Sequence, residues 1–197
     1  MDAFSIATAS NSWVVSGALT RSGRPLLAND PHLGLQAPSL WYLMGLHAPG
    51  PDGVDVVGVS IPGAPMIILG HNRAIAWGMT NAYVDDADLF IERLDPADPG
   101  RYRTPDGYAP IEMVQETIAV KGWEEPAVLR VRRTRHGPEV PLEGVDDSLF
   151  LTVRWTALGP GAPVRGMLGL NRARDWASFL QAVDDLDDPH QNVVYAD

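Results

Sequence analysis

Short apolar runs, separated by Gly, Pro, Asn and Asp, recur along almost the whole chain of 197 residues. Runs of this length between turn residues predict β-strands. Two of them, LRVRR (129–133) and TVRW (152–155), alternate apolar and polar positions, as half-exposed antiparallel strands do. The predicted strands are SWVVSGAL (12–19), RPLLAN (24–29), LWYLMGLHA (40–48), VDVVGVSI (54–61), PMIILGHN (65–72), AIAWGMT (74–80), ADLFIERL (87–94), ETIAVKG (116–122), AVLRVRRT (127–134), LFLTVRW (149–155) and QNVVYAD (191–197).

One stretch has clear helical periodicity. Between residues 175 and 186 the apolar residues are three or four positions apart, which places them on one face of a helix. Asp175 is suited to cap the start of this helix, and Pro189 stops it. TPDG (104–107) and RHGP (135–138) predict turns. The pattern as a whole predicts one mostly antiparallel β domain with a single late helix.

Composition and charge exclude several classes of function. The net charge of −10 and the pI near 4.8 argue against nucleic acid or an anionic membrane as a partner. The chain has no cysteine, so disulfides and thiolate zinc sites are excluded. No apolar run reaches the length of a membrane span. The first ten residues lack a basic segment and a long apolar segment, so they are not a secretory signal.

The residues that could carry chemistry form no common local motif. None of the five histidines has zinc-site spacing, and there is no nucleophile elbow, Walker loop or dinucleotide motif. The segment DDAD (85–88) offers carboxylates with a backbone carbonyl between them, the oxygen ligands that calcium accepts. Its spacing alone favours a solvated turn. Ser10 and Asn11, taken alone, are typical of a strand entrance.

Four separated segments, read in order, resemble a known family. They are SNSWVV (10–15), LLANDPHLG (26–34), LGHNRAIAWGMTNAYVDDADLFIERL (69–94) and HQNVVYAD (190–197). This order resembles the start of the β chain in the penicillin acylase family of N-terminal-nucleophile hydrolases. The resemblance makes residues 1–9 a residual spacer and residues 10–197 a truncated N-terminal part of the β chain. It implies an α+β, β-rich fold, a fragment of the αββα sandwich with antiparallel sheets.

The resemblance implies that Ser10 is the nucleophile and that its own α-amino group is the base. An α-amine has a pKa near 8, so it accepts a proton near neutral pH. Autoproteolysis between Ala9 and Ser10 has to free this amine first. The family usually has Gly before the nucleophile, and Ala9 restricts the strained backbone that the cut needs. The 197-residue chain by itself is therefore expected to stay uncut and inactive.

Other catalytic roles follow from the same resemblance. The backbone amide of Asn81 and the side chain of Asn192 match the donors of the family's oxyanion hole, which stabilise developing negative charge. His32 matches the position beside the nucleophile that orients the amine or the substrate. A packed core histidine remains the alternative for His32, and a strand-edge amide the alternative for Asn192.

Substrate choice is expected to depend on Leu33, Leu69 and Met79, which match the positions that line the family's acyl pocket. Three flexible aliphatic side chains suit a linear acyl chain at least as well as a phenylacetyl ring. The alternative is that all three are ordinary core residues.

The family's calcium ligands match Asp85, the carbonyl of Ala87, and Asp88. The resemblance thus implies structural calcium and no organic cofactor. It also implies an α chain, absent here, as the partner, a small N-acyl amide as the substrate, and a periplasmic or secreted location. Apolar strands that the α chain would cover predict self-association of this piece.

The function predicted from these residues is an amidohydrolase that cleaves an N-acyl bond through an acyl-serine intermediate. Candidate substrates are β-lactam amides, cephalosporin side chains, N-acyl homoserine lactones and other N-acylated amines. An N-acyl homoserine lactone acylase is thus an alternative within the family. Outside it, the alternatives are a piece without activity and a non-catalytic β-rich module that binds calcium or another ligand.

Overall fold

The computed structural model describes residues 10–34, 36–51, 53–140 and 150–197. In chain order its elements are β1 (Ser10–Val15), β2 (Leu26–Pro31), β3 (Tyr42–Ala48), β4 (Val54–Ser60), β5 (Leu69–His71), β6 (Ala76–Asn81), β7 (Ala87–Glu92), β8 (Leu94–Asp95), β9 (Asp98–Thr104), β10 (Gly107–Pro110), β11 (Glu112–Ile118), β12 (Ala127–Thr134), β13 (Gly137–Pro138), β14 (Phe150–Trp155), α1 (Pro163–Arg172), α2 (Trp176–Val183) and β15 (Gln191–Ala196). Residues 10–84 and 160–197 form one compact unit, and residues 85–159 form a second.

An antiparallel sheet of five strands, in the order β15-β6-β5-β4-β3, is the frame of the first unit. The core of the unit joins this sheet to both helices. It includes Val56, Leu69, Trp77 and Met79 from the strands and Leu170, Phe179 and Ala182 from the helices. The helices therefore cover the face of β6 to which Trp77 and Met79 point.

The hairpin of β1 and β2 packs on the other face of β6. Ser10 pairs with Pro31 at one end of this hairpin, and Val15 pairs with Leu26 at the other. Side chains alternate between the two faces of a strand, so Gly78 points away from the helices. A Cβ on Gly78 would lie only 2.8 Å from the Cβ of Asn29 in β2. The hairpin is thus a further β layer, opposite the helices.

The structure has two α-helices where the sequence pattern predicted one. Helix α2 begins where it was predicted, because the Asp175 carboxylate accepts from the Ser178 N–H at 2.8 Å in a capping box. The prediction that this is the only helix is wrong, because α1 precedes it. Asn171 of α1 is buried, accepts from the Ile67 N–H at 2.9 Å and donates to the Ile67 carbonyl at 2.8 Å. These bonds fix α1 against the residues that lead into β5.

The second unit consists of small antiparallel sheets. Their strand orders are β10-β9-β8, β11-β12-β13 and β14-β7. The buried carboxylate of Glu92 accepts from Thr134, His136 and Thr152, and the His136 ring stacks on Phe90 with 3.9 Å between the ring centroids. This polar cluster joins the ends of β7 and β12 to the middle of β14.

Most predicted strands are confirmed, with shifted ends. The predicted strand at 65–72 is reduced to Leu69–His71, because Met66 and Ile67 turn into the core before the ladder begins. The predicted strand at 116–122 ends at Ile118. Both predicted turns are confirmed, since each joins two paired strands. The pattern missed β9 and β10 on either side of the first turn. Among the described residues, no helix is long and apolar enough to cross a bilayer.

Candidate active site

Five of the residues predicted from the sequence line one cavity of about 240 Å³ in the first unit. They are Ser10, Leu33, Leu69, Met79 and Asn81. These residues come from four separate segments of the chain, so only the tertiary fold brings them together. Ser10 is the first residue of β1 and is half-buried at this cavity. Ala9, the other half of the predicted cleavage point, lies outside the described residues.

The wall of the cavity beside Ser10 is mainly apolar. Leu69 and Met79 are buried and belong to the core that faces the helices, so they line the cavity and stabilise the fold at once. Trp41 and Met167 are also part of the apolar wall. An apolar cavity next to a hydroxyl suits a ligand that joins a hydrocarbon group to a reactive polar bond.

The backbone N–H of Asn81 points away from β15. In an antiparallel pair, residues that exchange hydrogen bonds alternate with residues that do not. The Ala82 N–H donates to the His190 carbonyl at 3.2 Å. The neighbouring residues Asn81 and Gln191 therefore form a non-bonded pair. The Asn81 N–H therefore points away from β15 and is not used by that ladder. Such a donor, held by a strand beside a cavity, suits an oxyanion.

Asn192 lies next to Asn81 but is already hydrogen-bonded. Its amide nitrogen donates to the Thr80 hydroxyl at 3.2 Å and to the Asn81 carbonyl at 3.3 Å. Both hydrogens of this nitrogen thus have acceptors, and Asn192 has to exchange one of these bonds before it can donate to an oxyanion. Among the described residues, Asn192 does not line the cavity of Ser10.

His32 follows Pro31, the residue that pairs with Ser10 in the hairpin. Its Nε2 lies 2.7 Å from a carboxylate oxygen of Asp30, and both side chains are substantially exposed. Among the described residues, His32 does not line the cavity either. The Asp30 contact holds the His32 ring near the nucleophile strand.

Asn29 lies beside the site and was not among the residues predicted from the sequence. Its amide oxygen accepts from the Met79 N–H at 2.8 Å, and its amide nitrogen donates to the Met79 carbonyl at 3.0 Å and the Asn11 carbonyl at 3.1 Å. One side chain thus joins β2 to both β1 and β6. The available signal was an amide at the end of the apolar run RPLLAN, which by itself is also typical of a strand end.

The predicted calcium ligands lie in the second unit. Asp85 precedes β7, whereas Ala87 and Asp88 are its first two residues, and all three are exposed. The Thr156 N–H donates to the Asp86 carbonyl at 3.1 Å. Ala87 and Trp155 therefore form a non-bonded pair of the β7–β14 ladder. Its carbonyl points away from β14 and is free of that ladder. These oxygens fit calcium chemically but supply only part of the six to eight ligands that the ion takes.

β15 is anchored by Tyr195, three residues beyond Asn192. The Tyr195 ring packs against Trp176 and Phe179 of α2, and its hydroxyl donates to Asp197 at 2.8 Å. Burial raises the pKa of Tyr195 to about 12, and the neighbouring Asp197 adds to this rise. The hydroxyl therefore stays protonated, and its packing holds the strand that carries Gln191 and Asn192.

Comparison with known proteins identifies the family of this chain. The family model described as Penicillin amidase matches residues 2–197. The chain belongs to the penicillin amidase family. This finding confirms the resemblance seen in the four sequence segments.

Two curated members of the penicillin amidase family show how much of a relative the chain spans. The acyl-homoserine lactone acylase QuiP of Pseudomonas aeruginosa is 39% identical over 131 residues, which are 66% of this chain and 15% of that protein. The penicillin G acylase of Escherichia coli is 35% identical over 130 residues, again 66% of this chain and 15% of the relative. The chain therefore spans a small part of the length of these curated relatives.

A solved member of the family has the same fold. The thermostable penicillin G acylase from Alcaligenes faecalis superposes with a TM-score of 0.77 at 27% identity, over 94% of this chain and 33% of that chain. This likeness confirms the predicted β-rich α+β fold of antiparallel sheets with late helices.

Proposed function

We propose that the whole protein is an N-acyl amidohydrolase whose nucleophile is Ser10. The observation that carries this proposal is the cavity of about 240 Å³ that Ser10 shares with Asn81, Leu33, Leu69 and Met79. A hydroxyl, an inward backbone donor and an apolar wall are the parts that acyl transfer needs: a nucleophile, an oxyanion donor and an acyl pocket. Membership of the penicillin amidase family supports an acylase at the level of the family.

Each step of the proposed reaction uses a residue of this chain. After cleavage of the Ala9–Ser10 bond, the free α-amine of Ser10 takes the hydroxyl proton, and Oγ attacks the acyl carbonyl carbon. The resulting oxyanion accepts from the Asn81 N–H and from Asn192, once Asn192 has released the Thr80 hydroxyl or the Asn81 carbonyl. The C–N bond then breaks, the leaving amine takes the proton, and acyl-Ser10 remains. Water attacks this ester in the same way and releases the carboxylic acid.

His32 is proposed to orient the α-amine of Ser10. Its ring is held by Asp30 at 2.7 Å, directly after the residue that pairs with Ser10. Imidazole offers a second nitrogen for the amine or for a water molecule while the first remains on Asp30.

The proposed substrates are small N-acyl amides with a linear aliphatic acyl group. The side chains of Leu33, Leu69 and Met79 form an aliphatic, flexible wall. Such a wall does not require an aromatic ring in the acyl group of the substrate. Relatives are named for acyl-homoserine lactones and for penicillins, and both names describe N-acylated amines. Both compound classes are therefore the first substrates to test.

The remaining features are proposals for the whole protein. A structural calcium ion would be held in part by Asp85, the Ala87 carbonyl and Asp88, with its other ligands from elsewhere. An α chain is the proposed partner, and a periplasmic or secreted location stays a prediction from the family. No organic cofactor is needed for the steps proposed above.

The experiment compares the whole protein, as its gene encodes it, with its Ser10→Ala variant. The substrates are acyl-homoserine lactones and aliphatic penicillins, and the released amine is quantified. We expect turnover by the wild type and none above background by Ser10→Ala, with both proteins folded by circular dichroism. Equal turnover by the two proteins would exclude Ser10 as the nucleophile. Turnover of neither substrate class by the wild type would contradict the proposed function.

A further inference from the structure

The N–H groups of Met79 and Asn81 point in the same direction. They lie two positions apart on β6, and both residues are in non-bonded pairs with β15. On that side of β6 the neighbouring strand β5 pairs only as far as Trp77. Beyond Trp77, the backbone groups of the buried Met79 need other partners, because buried backbone groups are costly to leave unpaired.

Asn29 provides those partners for Met79. Its amide oxygen accepts from the Met79 N–H at 2.8 Å, and its amide nitrogen donates to the Met79 carbonyl at 3.0 Å. The side chain therefore takes the place of a missing strand residue. Two residues farther along, no side chain of the described residues takes this role for the Asn81 N–H, which is therefore left for a ligand.

The same amide reaches the nucleophile strand. Its nitrogen donates to the Asn11 carbonyl at 3.1 Å, and Asn11 follows Ser10 directly. Asn29 thus contacts the residue next to Ser10 on one side and the residue two before Asn81 on the other.

Gly78 makes this arrangement sterically feasible. A Cβ at position 78 would lie 2.8 to 2.9 Å from the Cβ, Cγ and Oδ1 atoms of Asn29. Real Cβ atoms do not approach other heavy atoms so closely, so any larger residue at position 78 has to displace Asn29. The glycine at position 78 of β6 therefore leaves the space that the Asn29 side chain needs to bind Met79.

We infer that Asn29 is a positioning residue that sets the distance between the Ser10 nucleophile and the Asn81 oxyanion donor. This inference rests on the proposed function, because it gives Ser10 and Asn81 their roles. In this role Asn29 touches neither the substrate nor the reacting atoms. It acts by holding β1 and β6 at one spacing, and a change of about 1 Å in such a spacing costs roughly a hundredfold in rate.

The test compares Asn29→Asp with Asn72→Asp in the whole protein. The Asn29→Asp carboxylate keeps the shape of the amide but turns both donated bonds into contacts between acceptors. Asn72 is a matched control at the other end of β6: its amide oxygen accepts from the Ala74 and Ile75 N–H groups at 2.8 Å, and its nitrogen donates to the Ala173 carbonyl at 2.7 Å. Both variants lose the same kind of bond to the backbone.

We expect Asn29→Asp to lower kcat at least about tenfold with KM changed less than about threefold, because the loss falls on the transition state rather than on substrate binding. Asn72→Asp should lower the thermal midpoint and leave kcat within about twofold. Gly78→Ala, which displaces Asn29 while leaving its amide intact, should repeat the kcat loss. The rate at which a sulfonyl fluoride modifies Ser10, followed by mass, should fall in Asn29→Asp and Gly78→Ala alone.

Three outcomes would overturn the inference. One is an Asn29→Asp variant with wild-type kcat and only a lower thermal midpoint, which would make Asn29 merely structural. Another is an equal kcat loss in Asn72→Asp, which would make the effect global. The third is a loss confined to KM. A wild type that neither turns over acyl amides nor reacts at Ser10 would instead refute the proposed function itself.

Discussion

Removing the Glu92 carboxylate should destabilise the second unit more than any surface substitution on it. One oxygen of Glu92 accepts from the Thr134 hydroxyl at 2.6 Å, His136 Nδ1 at 2.8 Å and the Thr152 hydroxyl at 3.0 Å. The Glu92 side chain is only 4% exposed, and Thr152 is fully buried. Water therefore cannot replace the lost acceptor for Thr152, and each unmet donor costs about 1–3 kcal/mol.

Summed over three donors, with partial rehydration of His136, Glu92→Ala should lower the free energy of unfolding by about 3–5 kcal/mol. Glu92→Gln keeps an acceptor oxygen but loses its charge, so we expect about 1–2 kcal/mol. Glu116→Ala, an exposed glutamate on β11, is the control and should stay within about 0.5 kcal/mol. The assay is urea denaturation of the 197-residue chain followed by circular dichroism, with all variants at one protein concentration because self-association shifts apparent stability. A loss below about 1 kcal/mol in Glu92→Ala would refute the reasoning.

The same cluster predicts a pH dependence with a definite sign. Burial alone would raise the pKa of Glu92, but the hydrogen bonds from Thr134, His136 and Thr152 outweigh burial and hold the pKa below its ordinary 4.5. The folded state thus favours the charged form. The stability that Glu92 contributes is present above pH 4.5 and is lost as the pH falls through the lowered pKa. The difference between wild type and Glu92→Gln should therefore shrink below pH 4.5, and a difference that grows there would contradict this assignment.

Three further predictions concern activity and assembly. In the whole protein, kcat/KM should rise about fourfold per methylene of a linear acyl chain, at about 0.8 kcal/mol each, and stop rising once the cavity beside Met79 is full; a phenylacetyl amide preferred over every linear acyl amide would count against the aliphatic pocket. Calcium should raise the thermal midpoint of the whole protein, and Asp85→Asn with Asp88→Asn should abolish that rise; an undiminished rise would place calcium elsewhere. The 197-residue chain alone should keep its full mass and show no acyl-amide turnover, because the Ser10 nitrogen remains in an amide. It should also self-associate through exposed apolar residues such as Leu43. A cut, active monomer in mass and sedimentation measurements would contradict all three expectations.

Local signals in the sequence were sufficient for the elements that are stabilised locally. Asp175 and Ser178 cap α2 within one turn, so the start of that helix could be predicted from residues three positions apart. Helix α1 was missed because its glycines weaken the helical signal. A Cβ on Gly166 would lie 2.7 Å from the Leu186 side chain, and one on Gly169 would lie 2.9 Å from the Ala182 Cβ. These glycines are explained by close packing on α2 and on Leu186 just beyond it, which no local pattern shows.

The candidate site could be predicted only through resemblance to a family. Hydrophobic periodicity placed Met79 and Asn192 on strands and Ser10 just before one, but gave no reason for them to meet. Asn29 was missed for a related reason: its contacts with Met79 span fifty positions of sequence, and a terminal amide in a strand carries no local signature of such a bond. The direction of the Asn81 N–H likewise depends on the register with β15, which the pattern does not specify.

Mass spectrometry of the acyl-enzyme tests most directly whether Ser10 is the nucleophile. The whole protein is mixed with a slowly released N-acyl amide, quenched with acid within seconds and digested. We predict that the peptide carrying the added acyl mass begins at Ser10 with a free α-amine, and that hydroxylamine removes this mass, because the link is an ester. An acyl adduct on any other residue, or full turnover by protein in which Ala9 and Ser10 remain joined, would contradict the proposed mechanism.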